Sequence, residues 1–492
     1  MIKLIENELV KIFKRKSIYF LLILSVFAIL IYNYKNPDQN VITNEETSTM
    51  PMISTDYIES IKNEQEQYIK LLAHNEFAKL YNDNFEEDSW QRYALNIEKT
   101  GYSYENTYDQ DIMNYLYNIM NYEYYSNNQI TKELNEASKH KYNEYVEALK
   151  SDDWKNFVNL KLENLQEIKK EPNLLPETIK EIDFEIEWYK LRLNNNIIYG
   201  DDILNQYLNS YREKYYLIIY KELNIDKNSQ WEMRELFEEK SKLEICKYAI
   251  ENHIKYDISN EENIISNNKI DARISFIRTF SHFDLILIII TIYISSTTIT
   301  EEITKKTIKN MLTKPHKRMA LIIAKIIACL ITIIVSMYFI GIIQFFVGGF
   351  IFGFDSYANG YIGYDINTNS IFNMSLLYYF IIMAFIKIFE YLIICLFCLF
   401  IGVFNKNIAM SMILTLLICL FANTALAEWS KVDALSKITR YFITNNWDFS
   451  IYLFGNISNV NGTNLWHSIF IYFIYFVLLF KLVISKFNKI ET

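Results

Sequence analysis

Long apolar runs alternate with polar stretches along this chain, and six of the runs approach the length of a membrane-spanning helix. The first covers residues 17–33, and the other five lie in the second half, roughly at 283–299, 320–350, 375–404, 408–427 and 465–485. A helix needs about 20 mainly apolar residues to cross a hydrocarbon core of about 30 Å. The pattern therefore predicts an all-α polytopic membrane protein with six transmembrane helices.

The first two runs are separated by residues 34–282, which are polar, rich in aromatic residues and helical in period. Apolar residues recur there at steps of three and four, as at Ile203, Tyr207 and Tyr211, and strand-like alternation is scarce. This part contains a single cysteine, Cys246, so no disulfide can form within it. We expect a large helical domain that relies on its hydrophobic core.

Charge separates the same two parts and predicts their sides of the membrane. Residues 34–281 hold 29 Lys and Arg against 46 Asp and Glu, whereas the rest of the chain holds 20 against 12. Short loops rich in Lys and Arg stay in the cytoplasm, and residues 301–318 carry six such residues against two acids. The pattern predicts a cell-membrane protein with both termini cytoplasmic and domain 34–282 extracellular.

Residues 1–16 place apolar residues on one helical face and charges on the other, which predicts an interfacial helix ahead of the first span. A cleaved signal peptide is the alternative interpretation of the first run, but no small-x-small cleavage site follows it. The loop 300–319 repeats apolar residues at helical spacing until Pro315, which predicts a short amphipathic helix. The aromatic-rich loop 428–464 predicts a re-entrant or interfacial helix in the outer leaflet.

Motifs for catalysis are missing from the sequence. No Gly-x-x-x-x-Gly-Lys phosphate cradle occurs, and the six histidines are scattered with no metal-ligand spacing. We expect no enzyme activity, no metal site, no cofactor bound by this chain and no nucleic-acid partner. Lys387 and Glu390 form an intramembrane polar pair on one face of the fourth span. They indicate either a salt bridge that fixes this helix or a polar lining of a transport path.

An acidic residue at the end of a span, followed by Thr-Ile-Lys, Leu, Pro, Arg and a Lys in the next span, resembles the permeases of the type-two ATP-binding-cassette (ABC) exporter family. The matching residues are Glu302, Thr307, Leu312, Pro315, Arg318 and Lys325. Lys306 stands where the family often has Gly. The N-terminal segment IENELVKIFKRKS is similar to the start of these permeases.

The resemblance implies that Glu302, Thr307, Leu312, Pro315 and Arg318 couple the chain to a separate ATPase. We expect Glu302 and Arg318 to be surface charges of this coupling loop. It further implies two cytoplasmic ABC ATPase subunits, which bind ATP and Mg, and a second permease subunit, identical or a sibling. The expected function is the export of a peptide, an antimicrobial or another amphipathic substrate. The expected setting is a bacterial cell membrane, whose lipids surround the permease. A non-transporting sensor, whose extracellular domain relays ligand binding to a cytoplasmic partner, is the alternative; a membrane-anchored enzyme has no catalytic constellation to support it.

Overall fold

The computed structural model describes residues 1–35, 53–54, 65–86, 88–95, 109–125, 129–226, 229–260, 264–265, 271–305, 318–421 and 425–489. In chain order its helices are α1 Ile2–Phe13, α2 Lys16–Lys35, α3 Gln65–Asn84, α4 Trp90–Leu95, α5 Gln110–Tyr125, α6 Gln129–Lys150, α7 Trp154–Lys169, α8 Pro176–Asn194, α9 Ile203–Asn224, α10 Gln230–Glu251, α11 Ala272–Ile277, α12 Thr279–His282, α13 Asp284–Thr304, α14 Arg318–Phe352, α15 Leu376–Asn405, α16 Ile408–Phe421, α17 Ala427–Ser430, α18 Asp433–Thr439 and α19 Leu465–Asn488.

Five of these helices are long and apolar enough to cross a membrane: α2, α13, α14, α15 and α19. The sixth expected span corresponds to α16, which is apolar but has only 14 residues. The prediction of an all-α membrane protein is confirmed in this coarse form, and the sixth span stays a prediction.

The most buried of the five long helices is α13. Its buried hydroxyl residues Thr291, Ser295 and Thr298 each donate a hydrogen bond to a carbonyl oxygen four residues earlier in the same helix. These hydroxyls therefore need no partner from another helix, and small side chains let neighbouring helices approach closely. At Gly402 of α15, an added Cβ would lie 2.2 Å from Thr300 Oγ1, so the two helices are packed as closely as glycine allows.

The helical domain comprises α3 to α10 and has two hydrophobic clusters. One is formed mainly by α3, α5 and α6, and the other by α8, α9 and α10. Lys161 of α7 is buried in this domain, with Nζ 2.5 Å from Asp109 Oδ1 and 2.6 Å from Asp111 Oδ2. Burial alone would lower the pKa of Lys161, but the two carboxylates raise it above its ordinary value.

The C-terminal boundary of the helical domain differs from the expected range of 34–282. Helices α11 and α12 were expected in the domain, yet Phe276, Ile277 and Phe280 are buried in the same cluster as the membrane helices. The reason is that α11 is buried along its whole length and packs against α14. The membrane part therefore begins before the apolar run that marks α13.

A two-stranded antiparallel sheet is an exception to the all-α prediction. Strand β1, Tyr361–Asp365, pairs with β2, Ser370–Met374, so that Tyr361 lies opposite Met374. The strand β1 contacts α10, and the Asn260 side chain of the helical domain donates a hydrogen bond to the Ile362 carbonyl at 2.6 Å. This hairpin thus joins the helical domain to the membrane helices.

The contacts define two ends of the membrane bundle. At the first, which we call the basic end, Thr304 Oγ1 donates to the Lys406 carbonyl at 3.1 Å and Arg318 donates to the Asn488 carbonyl at 2.7 Å. The opposite end carries the hairpin and the helical domain, and we call it the domain end. Lys406 has a left-handed backbone (φ 55°) in the tight turn between α15 and α16.

Candidate functional site

Four alternating charges form a closed ring at the basic end. Lys325 Nζ lies 2.6 Å from Glu8 Oε2 and 2.8 Å from Glu302 Oε2, and Lys11 Nζ lies 2.7 Å from Glu8 Oε1 and 2.8 Å from Glu302 Oε1. We call these four residues the ionic ring. Lys325 is 1% exposed, and its Nζ also donates to the Thr298 carbonyl at 3.1 Å. The ring ties α1 to the end of α13 and to the first turns of α14.

A second contact holds α1 in the same place. Arg15, between α1 and α2, donates to Thr297 Oγ1 at 2.6 Å and lies 2.9 Å from Glu301 Oε2.

In the ionic ring, burial alone would raise the pKa of Glu8, but Lys325 and Lys11 hold it below its ordinary value. The carboxylate form of Glu8 is therefore favoured at neutral pH. The N-terminal helix is bound to the bundle by charge as well as by its apolar face.

The expected coupling residues have different environments. Glu302 was expected to present an exposed charge, and this is wrong because it is buried within the ionic ring. Arg318 starts α14 and is half-buried beside the end of α19. Thr307, Leu312 and Pro315 lie outside the described residues, as does most of the predicted amphipathic helix. Their coupling role stays a prediction.

A different group of charges surrounds Lys387 of α15. Lys387 Nζ lies 2.7 Å from Glu390 Oε2, 2.8 Å from Asp448 Oδ2 and 3.6 Å from Asp284 Oδ2. We call Asp284, Lys387, Glu390 and Asp448 the lysine cluster. The expected contact of Lys387 with Glu390 is present, but sequence analysis missed Asp284, the first residue of α13, and Asp448, which follows α18.

The lysine cluster lies nearer the domain end than the sequence suggested. The apolar run places Lys387 near the middle of a span, but α15 extends beyond the start of α13, and Asp284 meets Lys387 at that level. Asp284 and Glu302 are 18 residues apart on α13, which corresponds to about 27 Å at 1.5 Å per residue. The lysine cluster and the ionic ring are thus separated by about the thickness of a hydrocarbon core.

A buried polar contact links α2, α11 and α14 at the domain end. Ser275 Oγ donates to Asn33 Oδ1 at 2.5 Å, and Gln344 Nε2 donates to the Ser275 carbonyl at 2.9 Å. Buried polar groups need such partners, because an unpaired one costs about 1–3 kcal/mol. The chain leaves α2 and returns from the helical domain at this point, so these bonds fix both connections.

The family model for ABC-2 family transporter proteins matches residues 4–491, nearly the whole chain. The chain belongs to the ABC-2 transporter family. As an ABC-2 family protein with several apolar helices, it is a multi-pass permease component of an ABC transporter, and the family implies an ATPase partner. No curated protein and no solved structure gives a significant match.

Several residues of this ABC-2 permease were missed by sequence reasoning although a signal was present. A lysine inside an apolar run, such as Lys325, needs a carboxylate nearby because an unpaired ion in the membrane is costly. Glu8 and Lys11 are three residues apart and so share one face of α1. In the structure that face meets the charged end of α13 at Glu302. Asp448 gave no comparable signal, since its loop position is compatible with an ordinary solvated acid.

Proposed function

We propose that this permease is the membrane subunit of an ATP-driven exporter for a peptide or another amphipathic substrate. In this proposal, two separate ATPase subunits bind ATP and Mg at the basic end, and a second permease subunit, identical or a sibling, completes the transporter. The basic end faces the cytoplasm and the helical domain is extracellular. No nucleotide is bound by this chain.

The observation that carries the proposal is the ionic ring. One closed set of ion pairs holds an N-terminal helix, the end of α13 and the start of α14 together, and residues 306–317 connect the last two. A force applied by an ATPase at this loop or at α1 therefore acts on two long apolar helices at once. Such coupling is what rigid-body rocking between inward-facing and outward-facing states requires.

Transport is tested with the full chain expressed together with the neighbouring reading frames, which we expect to include its ATPase. We expect an affinity-tagged permease to retain an ATPase that has a phosphate-cradle motif, and inside-out vesicles to accumulate a fluorescent amphipathic peptide with ATP but not with a non-hydrolysable analogue. If the peptide stimulates hydrolysis without accumulating, the protein is a sensor and the exporter proposal is wrong. Failure of any ATPase to co-purify would contradict the exporter proposal.

Sidedness is tested by labelling single cysteines with a membrane-impermeant reagent. All five native cysteines are buried, so they should give little background labelling. We expect Asn194→Cys in the helical domain and Thr368→Cys in the hairpin turn to react in intact cells. Asn405→Cys at the basic end should react only after permeabilisation, and labelling of Asn405→Cys in intact cells would reverse the proposed orientation.

A further inference from the structure

The lysine cluster contains more acid than base. Its single ammonium faces three carboxyl groups, whereas the ionic ring has two of each. Around Glu390, the charged or titratable groups of the described neighbouring helices and segments are Asp284, Tyr338, Lys387, Tyr391, Cys419, Asp448 and Tyr472. Lys387 is the one cation in this set. If all three carboxyl groups were ionised, the cluster would carry two uncompensated negative charges.

The three carboxyl groups differ in the contacts that stabilise a charge. Asp448 accepts hydrogen bonds from the Ser450 amide at 2.9 Å and the Ser450 hydroxyl at 2.5 Å in addition to its contact with Lys387. Asp284 accepts a bond from the Tyr391 hydroxyl at 2.6 Å. Their side chains are 27% and 19% exposed, respectively, so both have more accessible surface than Glu390.

Glu390 lacks these advantages. Its side chain is 5% exposed, and Lys387 is its one hydrogen-bond partner among the described residues. Lys387 is itself shared with Asp448. Burial alone would raise the pKa of Asp448, but Lys387 and the Ser450 donors hold it below its ordinary value. Asp448 thus competes for the only cation, and a carboxylate left without full compensation in a dry site costs several kcal/mol.

We propose that Glu390 binds a proton at neutral pH, so that the lysine cluster is a proton-binding site at the domain end of the membrane bundle. The step is a simple protonation, in which the Glu390 carboxylate takes a proton from water to become a neutral carboxylic acid. The Lys387 ammonium can donate to its carbonyl oxygen while it pairs with Asp448. A metal ion is a poor alternative, because Lys387 Nζ lies among the carboxylates and the described residues offer no group suited to hold a metal.

The proton has a route that does not cross the bundle. Asp448 lies on the segment that leads to Phe449–Gly455, at the same end as the hairpin, and its side chain is partly exposed. Protonation of Glu390 would therefore respond to the pH on the side of the membrane where the helical domain lies. The charge state of Glu390 in the folded chain does not depend on export or on an ATPase.

Infrared difference spectroscopy of the purified full chain in lipid nanodiscs tests the assignment. At pH 7 we expect the spectrum of wild type minus Glu390→Gln to contain the carbonyl band of a protonated carboxyl group, with the small downshift in D₂O that marks an exchangeable proton. The matched control is Glu302→Gln in the ionic ring, which should remove carboxylate bands alone. A difference spectrum for Glu390→Gln that shows only lost carboxylate bands would overturn the proposal, as would a carbonyl band that disappears instead in Asp284→Asn or Asp448→Asn.

Thermal unfolding gives a second, independent readout. A group that is protonated when folded and ionised when unfolded makes stability fall as pH rises above its unfolded value, which is about 4.3 for glutamate. We expect the midpoint temperature of the wild type to fall from about pH 4.3 up to neutral pH, and this slope to be flatter in Glu390→Gln. Glu390→Gln should unfold near the wild-type temperature at about pH 4 and at or above it at pH 7, because the glutamine has no proton to lose on unfolding, whereas Glu302→Gln should unfold earlier than the wild type at pH 7. Equal slopes for wild type and Glu390→Gln contradict a bound proton.

Discussion

At one end of α13, two lysines alternate with two glutamates; at the other end, one lysine meets three carboxyl groups. Both sets contain a lysine that is almost inaccessible to water, and both join helices that are distant in sequence. The ionic ring is neutral with every member ionised. The lysine cluster has two negative charges in excess when every member is ionised, and it loses that excess only by taking up protons.

The difference indicates what each set can do. A balanced, closed ring loses ion-pair contacts from both neighbours when any member moves, so it suits a rigid joint that transmits force. An unbalanced cluster can change its charge without losing all of its contacts, so it suits a site that responds to its surroundings. Because a buried ion pair is weak evidence for stability in itself, removal of single partners is the way to separate the two roles.

The largest effect is expected when Lys387 is removed. Lys387→Met leaves three carboxyl groups without a cation, and breaking a buried pair in this way costs about 3–5 kcal/mol. We expect strongly reduced abundance in membranes, measured by quantitative immunoblotting. Lys437→Met, at an exposed lysine of α18, is the matched control and should change little. Normal abundance of Lys387→Met would mean that the acids are already neutral or hydrated.

The ionic ring should respond less strongly, because Lys11 remains when Lys325 is lost. Lys325→Met leaves two glutamates against one lysine, and we expect destabilisation at the lower end of the same range, about 3 kcal/mol. The double variant Glu302→Gln with Lys325→Met restores equal charges. It should recover part of the lost midpoint temperature of unfolding, whereas additive losses would show that the ring does not act as a unit.

Local patterns in the sequence predicted the helices and the contacts between residues close together in the chain. The apolar runs predicted five long helices that the structure contains, and spacing alone brought Lys387 and Glu390 together. The hairpin was missed because two five-residue strands in a short loop give little periodic signal.

Contacts between residues far apart in the chain could not be predicted from the sequence. Pairing Glu8 with Lys325, or Asp448 with Lys387, depends on how helices pack and not on local spacing. The error over Glu302 has the same origin. A charged residue at the end of a membrane span is expected to be exposed. The position of α1, which covers Glu302, cannot be predicted from the sequence.

A smaller effect is expected at Arg15, which is partly exposed and lies outside the ionic ring. Arg15→Gln removes the ion pair with Glu301 and weakens the contact with Thr297, and such pairs contribute about 1 kcal/mol or less when solvent reaches them. Lys14→Gln, at an exposed neighbouring position, is the control. We expect a midpoint shift of a few degrees for Arg15→Gln, and no shift would assign the docking of α1 to the ionic ring and its apolar face.

The smallest effect on stability is expected at Arg318, and this makes it the sharpest test of coupling. Its guanidinium donates a hydrogen bond to the Asn488 carbonyl at the end of α19, and loss of such a bond in Arg318→Ala should cost about 0.5–1.5 kcal/mol. Glu302→Ala is unsuitable for this purpose, because loss of a member of the ionic ring would reduce folding and confuse the result. If Arg318 contributes to ATPase docking, Arg318→Ala should keep wild-type abundance yet retain less ATPase on purification and show weaker substrate-stimulated hydrolysis.

Arg318→Lys keeps the charge and should recover much of the ATPase retention and of the stimulated hydrolysis. Wild-type ATPase retention and stimulation in Arg318→Ala would remove Arg318 from the coupling surface and leave α1 and the ionic ring as the part of the basic end through which force enters.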